Sequence, residues 1–403
     1  MNAQASSSGG VRDDRKTAAF IAENLSPFPV SRVAHDFAFA REILRTPGVN
    51  QGRGVASQDF GNPDHISFFF LDGEPHRKRR SSVASYFTPK AVLTRYRPLM
   101  DRTMDELVAE LQAKGSGVLD EMSLRLASNI TAEVVGLTNS DGRRLAQVLR
   151  DLMNKNPALG KPRLYQFLHG IFAGWYYKRR TKRLMDELYF EHILPAAEAR
   201  RKEPRDDVVS HMAKENYSRQ AMFIECMTYA GAGVSTTREF IVMCCWQLFD
   251  HPDVMERFLK GDESDQFAII DEILRLDPVA NYVYRQSSID IPESVSGSPV
   301  KPGEEFAVNI RDVNTDPSIV GENPFKLDPE RAQRMKNTGA WMSFGDGPHR
   351  CPGSQIALHE TRVFLDRLLR VPGIRLARKP DLILSVQSQG YELRGAIVTC
   401  DRR

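Results

Sequence analysis

The chain is poor in most features that mark a specialised class of protein. Its 403 residues include five cysteines (Cys226, Cys244, Cys245, Cys351 and Cys400), none of them in a CxxC or CxxH pair. An odd set of thiols at irregular spacing disfavours both a disulfide framework and a cysteine zinc site. Neither sign of charge is in excess: 55 Lys and Arg stand against 52 Asp and Glu, a net +3. A large basic field for nucleic acid is therefore absent. The longest run without a charged side chain is 14 residues, 164–177, short of the roughly 18 needed to cross a bilayer. The first 16 residues carry no apolar core followed by a small-residue cleavage site, so no secretory signal is read there. These absences predict a cytoplasmic protein with neither a membrane nor a nucleic-acid partner; a monomer is the expectation.

What remains is an ordinary globular composition, 41% hydrophobic and 27% charged. Residues 1–15, rich in Ser, Gly and charge, read as a flexible leader. The patterns of residues 33–45 and 89–115 predict helices, the second with Thr88 as N-cap. Residues 51–73 read as a long loop rich in Gly, Asn, Pro and Asp that carries Phe68, Phe69 and Phe70, the kind of loop that lines binding sites. From Pro278 the texture changes to short β-branched runs at 282–284, 306–310, 382–386 and 396–399, separated by Pro and Gly turns. No linker divides the two textures. The expectation is one domain over residues 16–403, mainly α with a smaller β portion (α+β).

Two segments carry chemistry. The first is Phe344-Gly345-Asp346-Gly347-Pro348-His349-Arg350-Cys351-Pro352-Gly353, which precedes a helical stripe of Ala357, Phe364, Leu365 and Leu368. Cys351 thus sits just before a helix N-terminus, where free N–H groups and the helix dipole favour a thiolate able to bind metal or attack as a nucleophile. The second is residues 221–249, a nearly uncharged stretch about 43 Å long if helical. Two glycines and three hydroxyls in Ala230-Gly231-Ala232-Gly233-Val234-Ser235-Thr236-Thr237 predict a bulge or kink there.

The cysteine segment resembles the haem-binding loop of the cytochrome P450 family, F-x-x-G-x-H-x-C-x-G, at all five fixed positions. Other motifs follow in the family's order. Glu272 and Arg275 match E-x-x-R; the same pattern recurs at Glu42–Arg45 and Glu198–Arg201, but only Glu272 is followed by Pro278 and then by Arg331, 20 residues before Cys351. His76 and Arg80 match H-x-x-x-R, and Ala232, Gly233, Thr236 and Thr237 match [A/G]-G-x-[D/E]-T-T.

The resemblance implies the P450 fold as a single haem-binding domain, with haem b on Cys351. It implies that Phe344, Gly345 and Gly353 flank the macrocycle, that His76, Arg80, Arg285 and His349 hold its propionates, and that Glu272, Arg275 and Arg331 form a structural network. Ala232 and Gly233 would form the oxygen groove, with Thr236, Ser235 and Thr237 beside it, and Phe69, Thr228, Val279 and Asn281 would face the substrate. The implied reaction inserts one oxygen atom from O2 into a mostly apolar organic compound. Electrons would come from a separate ferredoxin or flavodoxin with its reductase, docking on positive charge at Arg350 and residues 77–79.

Ser235 departs from the family pattern, which usually has an acid there. Serine can hold a water but no charge. A one-residue shift of register would put Val234 at that position, again without a carboxylate, and Glu239, four residues past Ser235, is a candidate for the missing function. Oxidative coupling or dehydrogenation, and a haem-binding sensor without turnover, therefore stand as alternative readings.

Overall fold

A computed structural model describes residues 12–51, 66–153, 179–337, 339–385 and 389–402. Most of the expected leader, most of the 51–73 loop, the uncharged run 164–177 and Val386 lie outside them. Eight helices position the site: α1 (Phe37–Arg45), α2 (Gly73–Val83), α3 (Arg97–Lys114), α4 (Leu119–Val135), α5 (Arg219–Ala230), α6 (Thr236–Asp250), α7 (Glu263–Leu276) and α8 (Ser354–Leu369). The strands are β1 (Arg32–Ala34), β2 (Val49–Gln51), β3 (Ser116–Val118), β4 (Tyr282–Ser287), β5 (Glu305–Asn309), β6 (Arg375–Arg378), β7 (Asp381–Ser385), β8 (Gly390–Arg394) and β9 (Ile397–Thr399).

They form three small sheets, β1-β5-β4-β2, β3-β9-β6 and the β7-β8 hairpin. Only β1 and β5 run parallel among these pairings. The mainly α architecture with a smaller β portion is the one the sequence implies.

Two expected elements begin or break elsewhere. The helix expected over 33–45 starts at Phe37, because Asp36 caps it by accepting from Phe39 N at 2.8 Å, leaving Val33 and Ala34 free to pair with β5. The 89–115 helix contains a π turn at Val92–Tyr96 before α3. The expected bulge in the central helix is also a π turn, Gly231–Ser235, between α5 and α6.

The main core gathers α3, α4, α6, α7 and α8 around Met100, Met104, Leu126, Ile241, Ile273, Phe364 and Leu365. Helix α6 is buried along most of its length, its middle formed by the uncharged run 240–249 and its first turn carrying the buried Arg238 and Glu239. Glu272 holds the far side together. Arg275 donates to it through Nε and Nη2 at 2.7 Å each, and Arg331 Nε donates at 3.0 Å. The two guanidiniums spend their remaining N–H groups on the carbonyls of Asn314, Pro324, Val320, Glu322 and Asn323. This network pins the irregular segment before the cysteine loop onto α7. Ser343 Oγ extends the attachment by donating to Leu274 O at 3.0 Å.

Candidate functional site

The cysteine loop is shaped by its backbone. Gly345 and Gly347 have φ of +68° and +67°, a region that strongly favours glycine. Cys351 N donates to Phe344 O at 2.9 Å, closing the loop. Burial pushes the Cys351 thiol up, while the N–H groups of Gly353 and Ser354 and the cations Arg350 and Arg80 act in the opposite sense. The N-terminal groups of α8 therefore face the sulfur. Phe344 is half-buried against the main core.

Helix α2 brings a polar cluster to the same place. Arg80 donates to Pro348 O at 2.9 Å and Arg350 O at 2.6 Å. The His76 and His349 rings lie 4.1 Å apart, tilted by 34°. His349 Nε2 is 3.0 Å from Asp72 Oδ1, which also accepts from Gln51 N at 2.9 Å. Arg285 of β4 donates to Gln51 Oε1 at 2.7 Å. Sequence reasoning singled out His76, Arg80, Arg285 and His349, and these contacts bring them together. It missed Asp72 and Gln51, for which the acidic turn Asp72-Gly73-Glu74-Pro75 was the available signal.

These groups fit a dianionic ligand. Burial pushes His76 down to about 4, with His349 and Arg80 adding to the effect. Burial takes Arg285 down to about 10 against the pull of Asp72, and lowers Arg80 as well. His76 Nε2 is buried with no partner. A buried set of donors with too little anionic charge around it is what two haem carboxylates would satisfy. Space for a flat ligand is present too: a β-carbon at Gly345 or Gly231 would meet nothing within 4 Å.

The open face of the central helix shows the same. Ala232 is exposed, and Gly231, Ser235, Thr236 and Thr228 are half-buried, although the helix runs through the core. Thr236 Oγ1 donates to Ala232 O and Ser235 Oγ to Gly231 O. Gly233 has a different reason to be small: a β-carbon there would lie 2.8 Å from Thr131 Oγ1 of α4. Thr237 is buried, away from the open face.

Val279 is buried, and Asn281 is 1% exposed with both amide atoms unpartnered. Phe69 differs from Phe68 in burial. It is 46% exposed, while Phe68 is the buried ring, packed on His76 and Tyr229 with centroids 6.2 Å away in both cases. Three consecutive phenylalanines gave no phase from which to choose.

Glu239 is likewise not free to replace the missing acid. Its carboxylate accepts from Leu393 N at 2.6 Å, from Arg394 Nη1 at 2.7 and 2.8 Å, and from Arg238 Nε at 2.8 Å. A second carboxyl on the central helix escaped notice. Glu225 is buried, Oε2 has no partner, and burial pushes it up to about 7, with Ser67 and Arg79 pulling the other way.

The description "Cytochrome P450" belongs to the family model that matches residues 30–261 and 267–371. The chain is 25% identical over 346 residues to the biotin biosynthesis cytochrome P450 of Bacillus subtilis, covering 84% of this chain and 80% of the relative. It is 27% identical over 386 residues to cytochrome P450 107B1 of Saccharopolyspora erythraea, covering 90% and 84%. Among solved structures, substrate-free CYP109E1 from Bacillus megaterium is similar with a TM-score of 0.77 at 19% identity, covering 96% of this chain and 99% of that one. P450BioI in complex with hexadec-9Z-enoic acid ligated acyl carrier protein gives 0.75 at 20% identity, covering 96% and 99%. Likeness at those identities speaks for the fold alone. The family model, running through most of the chain and through the cysteine loop itself, makes the protein a member of the cytochrome P450 family of haem-thiolate monooxygenases.

Proposed function

We propose that the protein, as one haem domain over residues 16–403, inserts one oxygen atom from O2 into a mostly apolar small molecule in the cytoplasm. A separate ferredoxin or flavodoxin with its reductase delivers the electrons. Haem b, held through the Cys351 thiolate, supplies the oxygen activation, since a thiolate ligand pushes electron density onto iron and favours O–O cleavage. His76, Arg80, Arg285 and His349 bind the two propionates, and Gly345 and Gly353 leave room beside the macrocycle. Thr236 and Ser235 hold and pass protons. Each hydroxyl now donates to the carbonyl one turn back, and a χ1 rotation turns it toward water on the open face. Thr228, Val279 and Asn281 form the substrate wall, with Phe68 rather than Phe69 as the buried ring of the neighbouring loop.

The observation that carries this reading is the cluster of His76, Arg80, Arg285 and His349, fastened to the cysteine loop by Arg80, in which the buried Arg285 has only Asp72 among the described residues acting on it as an anion. The test begins with the reduced protein and carbon monoxide. The red-shifted Soret band of thiolate ligation should appear and be lost in Cys351→Ala. A ligand screen by Soret shift then supplies candidates for turnover with a surrogate redox chain under ¹⁸O2. Product carrying one ¹⁸O atom supports the proposal. Oxidised product without ¹⁸O means coupling or dehydrogenation instead, and no NADPH consumption with any bound compound means a sensor.

A further inference from the structure

The π turn between α5 and α6 raises a mechanical question. It loosens the helical ladder at Gly231–Ser235, and the regular helix restarts at Thr236. The turn inserts one residue into a continuous helix and weakens its hydrogen-bond ladder there, so the exact rotation of α6 is sensitive to what holds its first turn from outside. Here the first turn of α6 is tied to β8. Glu239 lies four residues from Ser235 and three from Thr236, so all three share one face. Its carboxylate takes the N–H of Leu393 and two contacts from Arg394 Nη1, and the side chain is 2% exposed.

The other end of β8 is anchored beside the substrate wall. Gly390 pairs with Ala280, next to Asn281, and the buried Tyr391 donates through its hydroxyl to Asp277 O at 2.8 Å. Strand β8 thus runs from the residues flanking Asn281 to the first turn of α6. Arg394 is itself held, its Nη2 donating to Glu392 at 2.6 Å. A carboxylate with this many charge-assisted bonds is a rigid joint.

We propose that Glu239 is a positioning residue: by gripping Leu393 N and Arg394 it sets the rotation of the α6 restart, and so aims the Thr236 hydroxyl at the groove beside Ala232. This rests on the reading that Thr236 passes protons in turnover. The Glu239 carboxylate is taken up by Leu393, Arg394 and Arg238, so its role is exerted through Thr236.

The experiment compares wild type, Glu239→Gln, Arg394→Lys, Thr236→Ala and the double variant Glu239→Gln/Thr236→Ala in the haem-loaded protein. Arg200→Lys, at a buried ion pair with Asp207, serves as a control for loss of stability alone. The first readout is the Thr236 methyl resonance in the diamagnetic ferrous carbon monoxide form, assigned by its absence in Thr236→Ala. It should shift in Glu239→Gln and Arg394→Lys and stay in place in Arg200→Lys. The second readout is hydrogen peroxide released per NADPH. It should rise about threefold or more in Glu239→Gln and Arg394→Lys, with no further rise in the double variant over Thr236→Ala.

An unmoved methyl resonance in Glu239→Gln and Arg394→Lys, with melting temperatures lowered as in the control, overturns the proposal. So does a peroxide increase that adds to that of Thr236→Ala. If Thr236→Ala alone leaves peroxide unchanged, the proton-relay reading fails, and the methyl shift still decides whether Glu239 positions the turn.

Discussion

Gly347 lies with its α-carbon against the backbone carbonyl of Leu44: a β-carbon would sit 2.1 Å from that oxygen. The cysteine loop is clamped to the end of α1 at this point, and Asp346 reinforces the clamp by accepting from Arg45 Nε at 2.8 Å and Nη2 at 2.9 Å. Gly347→Ala combines a backbone clash with a positive φ and should cost about 2–4 kcal/mol. Gly345→Ala has nearly the same φ but open space, and should cost about 1–2 kcal/mol. Thermal unfolding and haem transfer to apomyoglobin measure both. Equal effects in the two variants would mean that the contact with Leu44 contributes nothing.

The Glu272 network should be hard to replace. Glu272, Arg275 and Arg331 are each buried to 3% exposure or less, and removing one partner strands a charge, at about 3–5 kcal/mol. Glu272→Ala and Arg331→Met should therefore lower the denaturation midpoint sharply. The exposed pair Arg77–Glu74 provides the contrast, since Glu74→Ala should leave the midpoint nearly unchanged. Haem content of the purified variants shows whether the loss reaches the cysteine loop.

The residues legible in the sequence were those whose chemistry fixes a short spacing. Cys351 with its flanking glycines, and Glu272 with Arg275, are of this kind, because one loop or one helical turn contains the whole requirement. Asp72 was not legible as the partner of His349, which lies 277 residues away. No local pattern encodes that meeting. Strand β8 went unread because Gly390-Tyr391-Glu392-Leu393-Arg394 mixes charge with apolar residues, and what makes Arg394 tolerable there is the distant Glu239, to which its Nη1 donates. Gly233 was read as part of a groove, yet its neighbour Thr131 on α4 supplies a packing reason that only the assembled helices reveal.

Electron delivery should depend on Arg77 more than on Arg79. Arg77 is 70% exposed at its side chain, whereas the Arg79 guanidinium lies 5.1 Å from the centroid of the Tyr217 ring and acts on Glu225. Arg77→Glu should slow reduction by an acidic donor at low salt and lose that effect as ionic strength rises, because charge steering is screened over about 8 Å at physiological salt. Arg79→Glu should instead lower stability at every salt concentration. Stopped-flow reduction across a salt series, with carbon monoxide binding as the check on haem, separates the two.

Glu225 should contribute a loss of stability as pH rises from about 4.5 to 7, against which the depressed His76 acts in the opposite sense. The folded Glu225 carboxyl is pushed up to about 7 by burial, above the ordinary value near 4.5. Below that range both folded and unfolded chains are protonated and nothing is lost. Between the two values the unfolded chain releases its proton while the folded one keeps it, a penalty on the order of 3 kcal/mol that levels off above pH 7. Asp271, also pushed up to about 7 by burial, adds in the same direction. Glu225→Gln removes the first share, so the variant should gain on wild type at pH 8 and not at pH 5. Chemical denaturation at the two values is the measurement, and the same difference at both would show that Glu225 titrates normally.

Proton supply at the distal turn is the sharpest consequence of Ser235. Both hydroxyls of the turn spend their protons on carbonyls, Ser235 on Gly231 and Thr236 on Ala232, so neither is a standing acid. If Thr236 holds the water that passes protons, Thr236→Ala should divert electrons to peroxide and lower product per NADPH by about tenfold or more, given the 10²- to 10⁴-fold range of general acid and base groups. Ser235→Asp tests the other half. An aspartate there would face the Gly231 carbonyl, an acceptor it can meet only while protonated, so its pKa should rise and make it a proton donor at the groove. NADPH consumption in the presence of substrate should then speed up, most clearly at lower pH, and its solvent deuterium isotope effect should shrink. Unchanged product yield in Thr236→Ala, with no acceleration in Ser235→Asp, would mean that the substrate provides its own proton or hydrogen atom, and would favour oxidative coupling or dehydrogenation over oxygen insertion.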